Sequence, residues 1–417
     1  MTQQSCLEFD VVIVGAGLAG CTAAWTIASH SRARIGLVER RGIGSNNPTP
    51  LTFTDVLGSY QLEDCAIGYY RQFTFHSPLG NRSSHVFDGQ PLVALDYRNA
   101  CEKLVRNARR SENLTLLITT ASGLIFQGRK WKISLTDGRQ LQTPLVIDAS
   151  GRGLFSSRAL NLPRPKEFSH CYGARFSHCP VPDPQEVFFF APSIAYGNGG
   201  GWLYPLDGER VSFGFASLGR SPTLPAGDLK VNLRRAVSDF KPYADWLEGA
   251  ALDYIEAGSI PIYPLRRFVY DSLLIVGDAA GQATIWSCMG SATALEAGQL
   301  AGEAALAGFI KNDFSAALLQ QYQKQWDKRN REIYRRNAWI APTVWSQSEA
   351  SWNRQIPLLK QLTPDQMVER LRINWPVPSV LQAIFIRVVD LAGRIRRGML
   401  RQLRKWWGMT HYSRAVE

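Results

Sequence analysis

The sequence predicts an α/β protein: a parallel strand and helix layer built from separated segments, an antiparallel β-sheet inserted into it, and a helical region towards the C-terminus. Three observations predict it. An apolar run, a glycine-rich turn and an Ala-rich stretch follow one another at residues 9–30. A second apolar run meets a Gly-Asp turn at 273–281, far down the chain. Between them, over about 165–257, period-two alternation replaces helical spacing. At 417 residues the chain suits two or three domains, or one large α/β domain with insertions. The apolar fraction of 45% against 20% charged excludes a disordered or collagen-like chain, because enough apolar surface exists to offset chain entropy.

The elements follow in order. Phe9-Asp10-Val11-Val12-Ile13-Val14 reads as a buried strand, 15–20 as a tight turn, the stretch to His30 as a helix, and Ile35-Gly36-Leu37-Val38 as a second strand ending at Glu39. That is one βαβ unit of the size a parallel crossover needs. Turn residues dominate Gly42 to Pro50, which marks a loop, and 51–90 shows no clear period. Residues 96–110 form an amphipathic helix, and strands are expected at 114–119, 122–127, 131–136 and 145–147. Gly201-Trp202-Leu203-Tyr204-Pro205-Leu206 and 211–217 flank an Asp207-Gly208 turn, as antiparallel neighbours do, and 229–250 looks helical. A buried strand resumes at 273–276, and a helix of small residues follows at 291–309. The expected division is 1–164 for the first part of a nucleotide domain, with 51–90 contributing to the substrate side; 165–257 for a β-rich substrate domain; 258–340 for the second nucleotide part; and 341–417 for a helical, basic region.

Gly15-x-Gly17-x-x-Gly20 sits between a strand and a helix, with Glu39 following Gly20 by 19 residues. In this Rossmann-like setting the first glycine makes the turn and the second admits a pyrophosphate to the helix N-terminus. The third lets helix and strand pack closely, and the acid accepts hydrogen bonds from a ribose. A dinucleotide is expected. The turn Gly277-Asp278-Ala279-Ala280-Gly281 places a carboxylate at a strand end, followed by small residues.

Taken together, the two turns resemble the two-site grip of flavoproteins of the p-hydroxybenzoate hydroxylase and glutathione reductase type, in which the corresponding Asp contacts the ribityl chain. The resemblance implies FAD, held by Gly15, Ala16, Gly17, Ala19, Gly20, Glu39 and Arg40 at one end and by Gly277, Asp278, Ala280, Gly281 and Gly290 at the other. Further segments resemble geranylgeranyl reductases: Phe73-Thr74-Phe75-His76-Ser77-Pro78-Leu79-Gly80, then Leu95-Asp96-Tyr97-Arg98, and Gly201 to Leu206. Asp148-Ala149-Ser150-Gly151-Arg152-Gly153 resembles a turn they share with lycopene cyclases and flavin halogenases. The likeness implies Arg98 near the flavin or its diphosphate, and Trp202, Tyr204, Pro205 and Trp286 beside an apolar substrate. No catalytic residue is assigned.

Two departures stand out. Where the reductases carry Cys-Gly-Gly beside the flavin this chain has Gly42-Ile43-Gly44-Ser45-Asn46-Asn47, and Trp286 and Met289 add bulk in the 285–290 segment that normally approaches the ring. The reading is therefore an FAD-dependent oxidoreductase, with NAD(P)H as transient reductant of the flavin and C=C bonds of an isoprenoid or similar apolar molecule as the target. The alternatives are a non-redox lycopene cyclase-like enzyme, with Glu63 and Asp64 as candidate acids, a monooxygenase or halogenase, or a non-catalytic binding factor. A halogenase lysine is missing from 41–102.

The charge pattern points to a surface. Of the net +12, half lies in 381–417, where eight Lys/Arg face Asp390 and Glu417. Ile384, Val388, Leu391, Ile395, Met399, Leu403 and Trp406 make one stripe, with Arg387, Arg394, Arg397, Arg401 and Arg404 opposite. A basic amphipathic helix of this kind suits an anionic membrane surface, or packs on the protein body. No second feature supports nucleic acid. Seven cysteines without a CxxC pair, and six dispersed histidines, give neither a disulfide framework nor a metal site. No secretory signal opens the chain, so a cytoplasmic protein is expected. The oligomeric state is left open.

Overall fold

The structure is a computed structural model that describes residues 6–220, 226–239, 244–285 and 287–373. Its organising element is a six-stranded sheet in the order Val269–Tyr270, Leu273–Ile275, Val146–Asp148, Val11–Val14, Ile35–Glu39, Leu114–Ile118. The four strands from Leu273–Ile275 to Ile35–Glu39 run parallel with Leu114–Ile118, and Val146 pairs with Val12 on one side and Leu273 on the other. These four are buried on both faces, which is why they read as continuous apolar runs, whereas Leu114–Ile118 is partly exposed. Two helices of small residues, Leu18–His30 and Ser291–Lys311, lie against each other: a Cβ on Gly298 would stand 2.3 Å from the Ala19 carbonyl oxygen. The helix Tyr97–Arg109 packs Ala100, Cys101, Leu104, Val105 and Ala108 inward, and Asp96 caps it by accepting from Asn99 N–H at 3.1 Å.

A seven-stranded sheet stands beside this layer, ordered Ala251–Pro261, Phe168–Ser177, Val211–Gly219, Gly201–Pro205, Glu186–Phe190, Gln72–His76, Arg82–Val86. All its pairings are antiparallel except Glu186–Phe190 with Gln72–His76. Gly201–Pro205 and Val211–Gly219 pair across the Asp207 turn as expected, with the Asp207 carboxylate accepting from the Glu209 and Arg210 N–H groups. The segment without a visible period holds four strands, Leu51–Phe53, Ala66–Tyr70, Gln72–His76 and Arg82–Val86. The last alternates in the wrong sense for hydropathy, burying Ser83 and His85 while Val86 is exposed. The expected helix over 229–250 is two, Ala226–Asp239 and Ala244–Leu247. A helical region from Ala316 to Ile373 returns across the substrate sheet, where Trp352, Ile356, Met367 and Leu371 join Phe73, Phe75 and Tyr204 in one core. The basic stripe of 381–417 lies outside the described residues.

Candidate functional site

The carboxyl ends of the parallel strands open onto a cleft of about 970 Å³, at the upper end of the range for small-molecule sites. Gly15, Ala16 and Gly17 line it beside Glu39, Arg40, Gly44, Tyr97, Arg152, Arg158 and Asp278. Gly15 has φ +109°, and a Cβ there would lie 2.2 Å from the Ala149 carbonyl oxygen, so the turn requires glycine. A Cβ on Gly20 would lie 2.0 Å from the Gly15 oxygen, which is the close helix packing expected of the third glycine. The second glycine makes room for a side chain: the Tyr97 hydroxyl would stand 2.7 Å from a Cβ on Gly17, and it accepts from Leu18 N–H at a long 3.4 Å. Glu39 accepts from Ala16 N–H at 2.9 Å and Arg41 N–H at 3.2 Å, bracing the turn it was expected to follow. Asp148 closes the neighbouring turn through Ser150 N–H and Ser156 N–H at 3.0 and 2.7 Å.

The two distant glycine turns meet. A Cβ on Gly277 would touch the Ala19 Cβ at 3.0 Å, and Gly281, with φ +71°, lies so close to the Tyr263 carbonyl that a Cβ would reach it at 2.2 Å. Ala280 is buried below the turn. Asp278 faces the cleft, and no hydrogen bond from another described residue reaches its carboxylate. Burial pushes this carboxyl up to about 6. Gly290 precedes the helix Ser291–Lys311, and a Cβ there would come 3.6 Å from Asp278 Oδ1, so a helix N-terminus ends beside this acid.

Residues 13–49 match the family of NAD(P)-binding Rossmann-like domains. Digeranylgeranylglycerophospholipid reductase 2 of Methanopyrus kandleri is 28% identical over 339 residues, covering 77% of this chain and 83% of that protein. A geranylgeranyl bacteriochlorophyll reductase-like protein from Thermoplasma acidophilum has the same fold, with a TM-score of 0.79 at 19% identity over 91% of this chain and 96% of that one. The chain is an FAD-dependent oxidoreductase, similar over three quarters of its length to digeranylgeranylglycerophospholipid reductases. A flavin-dependent brominase shares the fold at a TM-score of 0.68 and 17% identity, covering 93% of this chain and 99% of that one.

The cleft of this flavoprotein fits FAD. Its floor is glycine where a backbone must approach, Glu39 and Asp278 line one and the same cleft, and the Asp278 carboxylate offers acceptors that the described protein groups do not take. Arg98 borders the cleft through its backbone. It is exposed on the first turn of its helix, where its backbone abuts Gly44 (2.9 Å from a Cβ there to Arg98 Cα), and Tyr97 beside it lines the cleft.

A second, apolar cavity of about 120 Å³ lies on the substrate sheet of the flavoprotein. Trp202 and Tyr204 wall it with Phe75, Phe189, Cys171 and Cys288, and Trp345, Trp352 and Leu371 close it from the C-terminal helices. Pro205 stands behind the wall, its carbonyl accepting from the Tyr70 hydroxyl at 2.6 Å. Trp286 lies outside the described residues. Burial pushes the Cys171 thiol up to about 11 and Cys288 to about 12, so both are neutral, and each feels the Asp278 charge. Of the cyclase-type acids, Asp64 pairs with Lys103 at the surface and Glu63 shares that exposed turn, so neither enters the cavity. The sequence reads 341–417 as helical, but the place of 344 to 371 over this cavity had no signal in sequence, because its partners lie far away along the chain.

Proposed function

We propose that this flavoprotein uses NAD(P)H to reduce C=C bonds of an isoprenoid lipid. One observation carries the reading: the apolar cavity lies beside the dinucleotide cleft, since Ser287 and Cys288 line the first and a Cβ on Gly290, two residues on, would stand 3.6 Å from Oδ1 of Asp278, which lines the second. The name of the Methanopyrus relative supports the substrate class. Bound FAD supplies two-electron chemistry between a nicotinamide and an apolar acceptor. The chain supplies position and dryness. Gly15, Ala16, Gly17, Ala19, Gly20, Glu39 and Arg40 hold the adenosine and diphosphate end, and Gly277, Asp278, Ala280, Gly281 and Gly290 the isoalloxazine end. Arg98 acts at the cleft edge. Arg152 and Arg158 line the cleft beyond the glycine turn and suit the phosphates of a visiting nicotinamide dinucleotide.

Trp202, Tyr204, Phe75 and Phe189 seat the lipid chain, and Trp345 and Trp352 exclude water from it. A cavity of about 120 Å³ is near the size of engineered cavities that take one benzene ring, so it seats about one five-carbon unit at a time. The basic tail, 381–417, suits the surface of an anionic membrane that carries the lipid. Purified protein mixed anaerobically with NADPH tests the reading: the visible flavin bands bleach, and a geranylgeranyl substrate gains two hydrogens per double bond. A product of unchanged mass points to cyclisation, and failure to take up FAD overturns the proposal.

A further inference from the structure

Between the cleft and the cavity lies a buried carboxylate that lines neither. Glu256, on the strand Ala251–Pro261, is 6% exposed. Its Oε1 accepts from Arg175 Nε at 2.7 Å and from the Thr49 hydroxyl, and its Oε2 accepts from Ser212 Oγ at 2.7 Å. Each arm continues outward. Ser212 Oγ accepts in turn from Trp202 Nε1 at 3.1 Å, and this indole lies on a floor of Gly173 and Gly214, where a Cβ would come within 2.8 and 2.6 Å of its Cζ2. On the other side Arg175 Nε also reaches Thr49 Oγ1 at 2.8 Å, its Nη2 donates to the Asn47 carbonyl at 2.9 Å, and its guanidinium covers the Tyr254 ring at 5.3 Å. Asn47 and Thr49 end the loop whose Gly44, Ser45 and Asn46 line the dinucleotide cleft. An apolar pair filling this volume would serve stability as well as a buried ion pair does. What it would lack is direction. The hydrogen bonds fix where the loop stands and which way the indole faces.

We propose that Glu256 is a positioning residue that holds the loop 44–49 of the cofactor cleft and the Trp202 wall of the substrate cavity in one register. A double bond seated against Trp202 is thereby set at a fixed distance from the cofactor. The substrate arm rests on the reading of the cavity given above; the cofactor arm does not. Three variants of the full chain separate the arms. Thr49→Val removes the loop link, and FAD titrated into the apoprotein binds about fivefold more weakly, the size of one lost hydrogen bond, while KM for the prenyl substrate stays put. Ser212→Ala frees the indole, and kcat for the prenyl substrate falls about fivefold with FAD affinity unchanged. Glu256→Gln moves both FAD affinity and kcat. Wild-type FAD affinity in Thr49→Val and Glu256→Gln overturns the proposal, as does an unchanged kcat in Ser212→Ala when the wild type turns over substrate. If the wild type binds FAD but reduces no prenyl compound, the substrate reading falls, and the FAD titrations alone decide the role of Glu256.

Discussion

Asp278 shows how one residue can serve the site at the expense of the fold. Its carboxyl sits at about 6 because burial disfavours the charged form, whereas the ordinary value in the unfolded chain is 3.8. The folded state therefore holds a proton that the unfolded state gives up between these values, and the apoprotein gains stability from this group as pH falls from 7 towards 4. Asp278→Asn removes that dependence. Calorimetry of the apoprotein should show the variant a few degrees more stable than wild type at pH 7.5, with the gap closing by about pH 4. FAD retention should fall in the same variant, and equal melting temperatures at pH 7.5 would refute the cost assigned to the buried charge. Asp278 was legible in the sequence because a Gly-Asp turn after an apolar run is a local pattern. Tyr97 was not, because what gives it a role is the space above Gly17, which no spacing along the chain reveals.

At the scale of elements, the two small-residue helices decide whether the glycine turns meet. Gly298 stands against the Ala19 carbonyl, and a Cβ on Gly302 would approach the Thr26 Cβ at 2.7 Å. A bulky side chain at this seam has rigid backbone in front of it. Gly298→Leu should cost about 3 kcal/mol or more, read as a lower urea midpoint at unchanged slope, and should release FAD because Ala19 follows the dinucleotide turn directly. A variant of wild-type midpoint would show that the helices are free to part. The ion pair Arg372–Asp55, with Arg372 over the Phe53 ring at 4.3 Å, fastens the last described helix to the body but is solvent-facing, so it orients more than it stabilises. Element types were readable from period wherever one face differed from the other. They were hidden in 51–90, where short strands carry no regular alternation and where, as in Arg82–Val86, serine and histidine point inward.

The whole molecule joins a nucleotide layer, a substrate sheet and a C-terminal helical cover, with charge gathered at the end of the chain. Among the described residues no helix is long and apolar enough to cross a membrane. Deleting 381–417 removes half of the net +12. The truncated protein should keep its flavin absorption and lose salt-sensitive sedimentation with anionic vesicles; persistent sedimentation would sink the membrane role of the tail. By itself the sequence determined the local chemistry: the glycine turns and their flanking strands, the acid at each strand end, and the alternation of the aromatic sheet. These depend on φ angles, periods and neighbours a few residues apart. The tertiary structure alone decided that Phe75, Cys171, Trp202, Cys288 and Trp352 share one cavity, and that Thr49, Arg175, Ser212 and Glu256 share one charge. Those meetings follow from strand register and helix packing across hundreds of residues, and register is settled by the buried faces of the whole assembly.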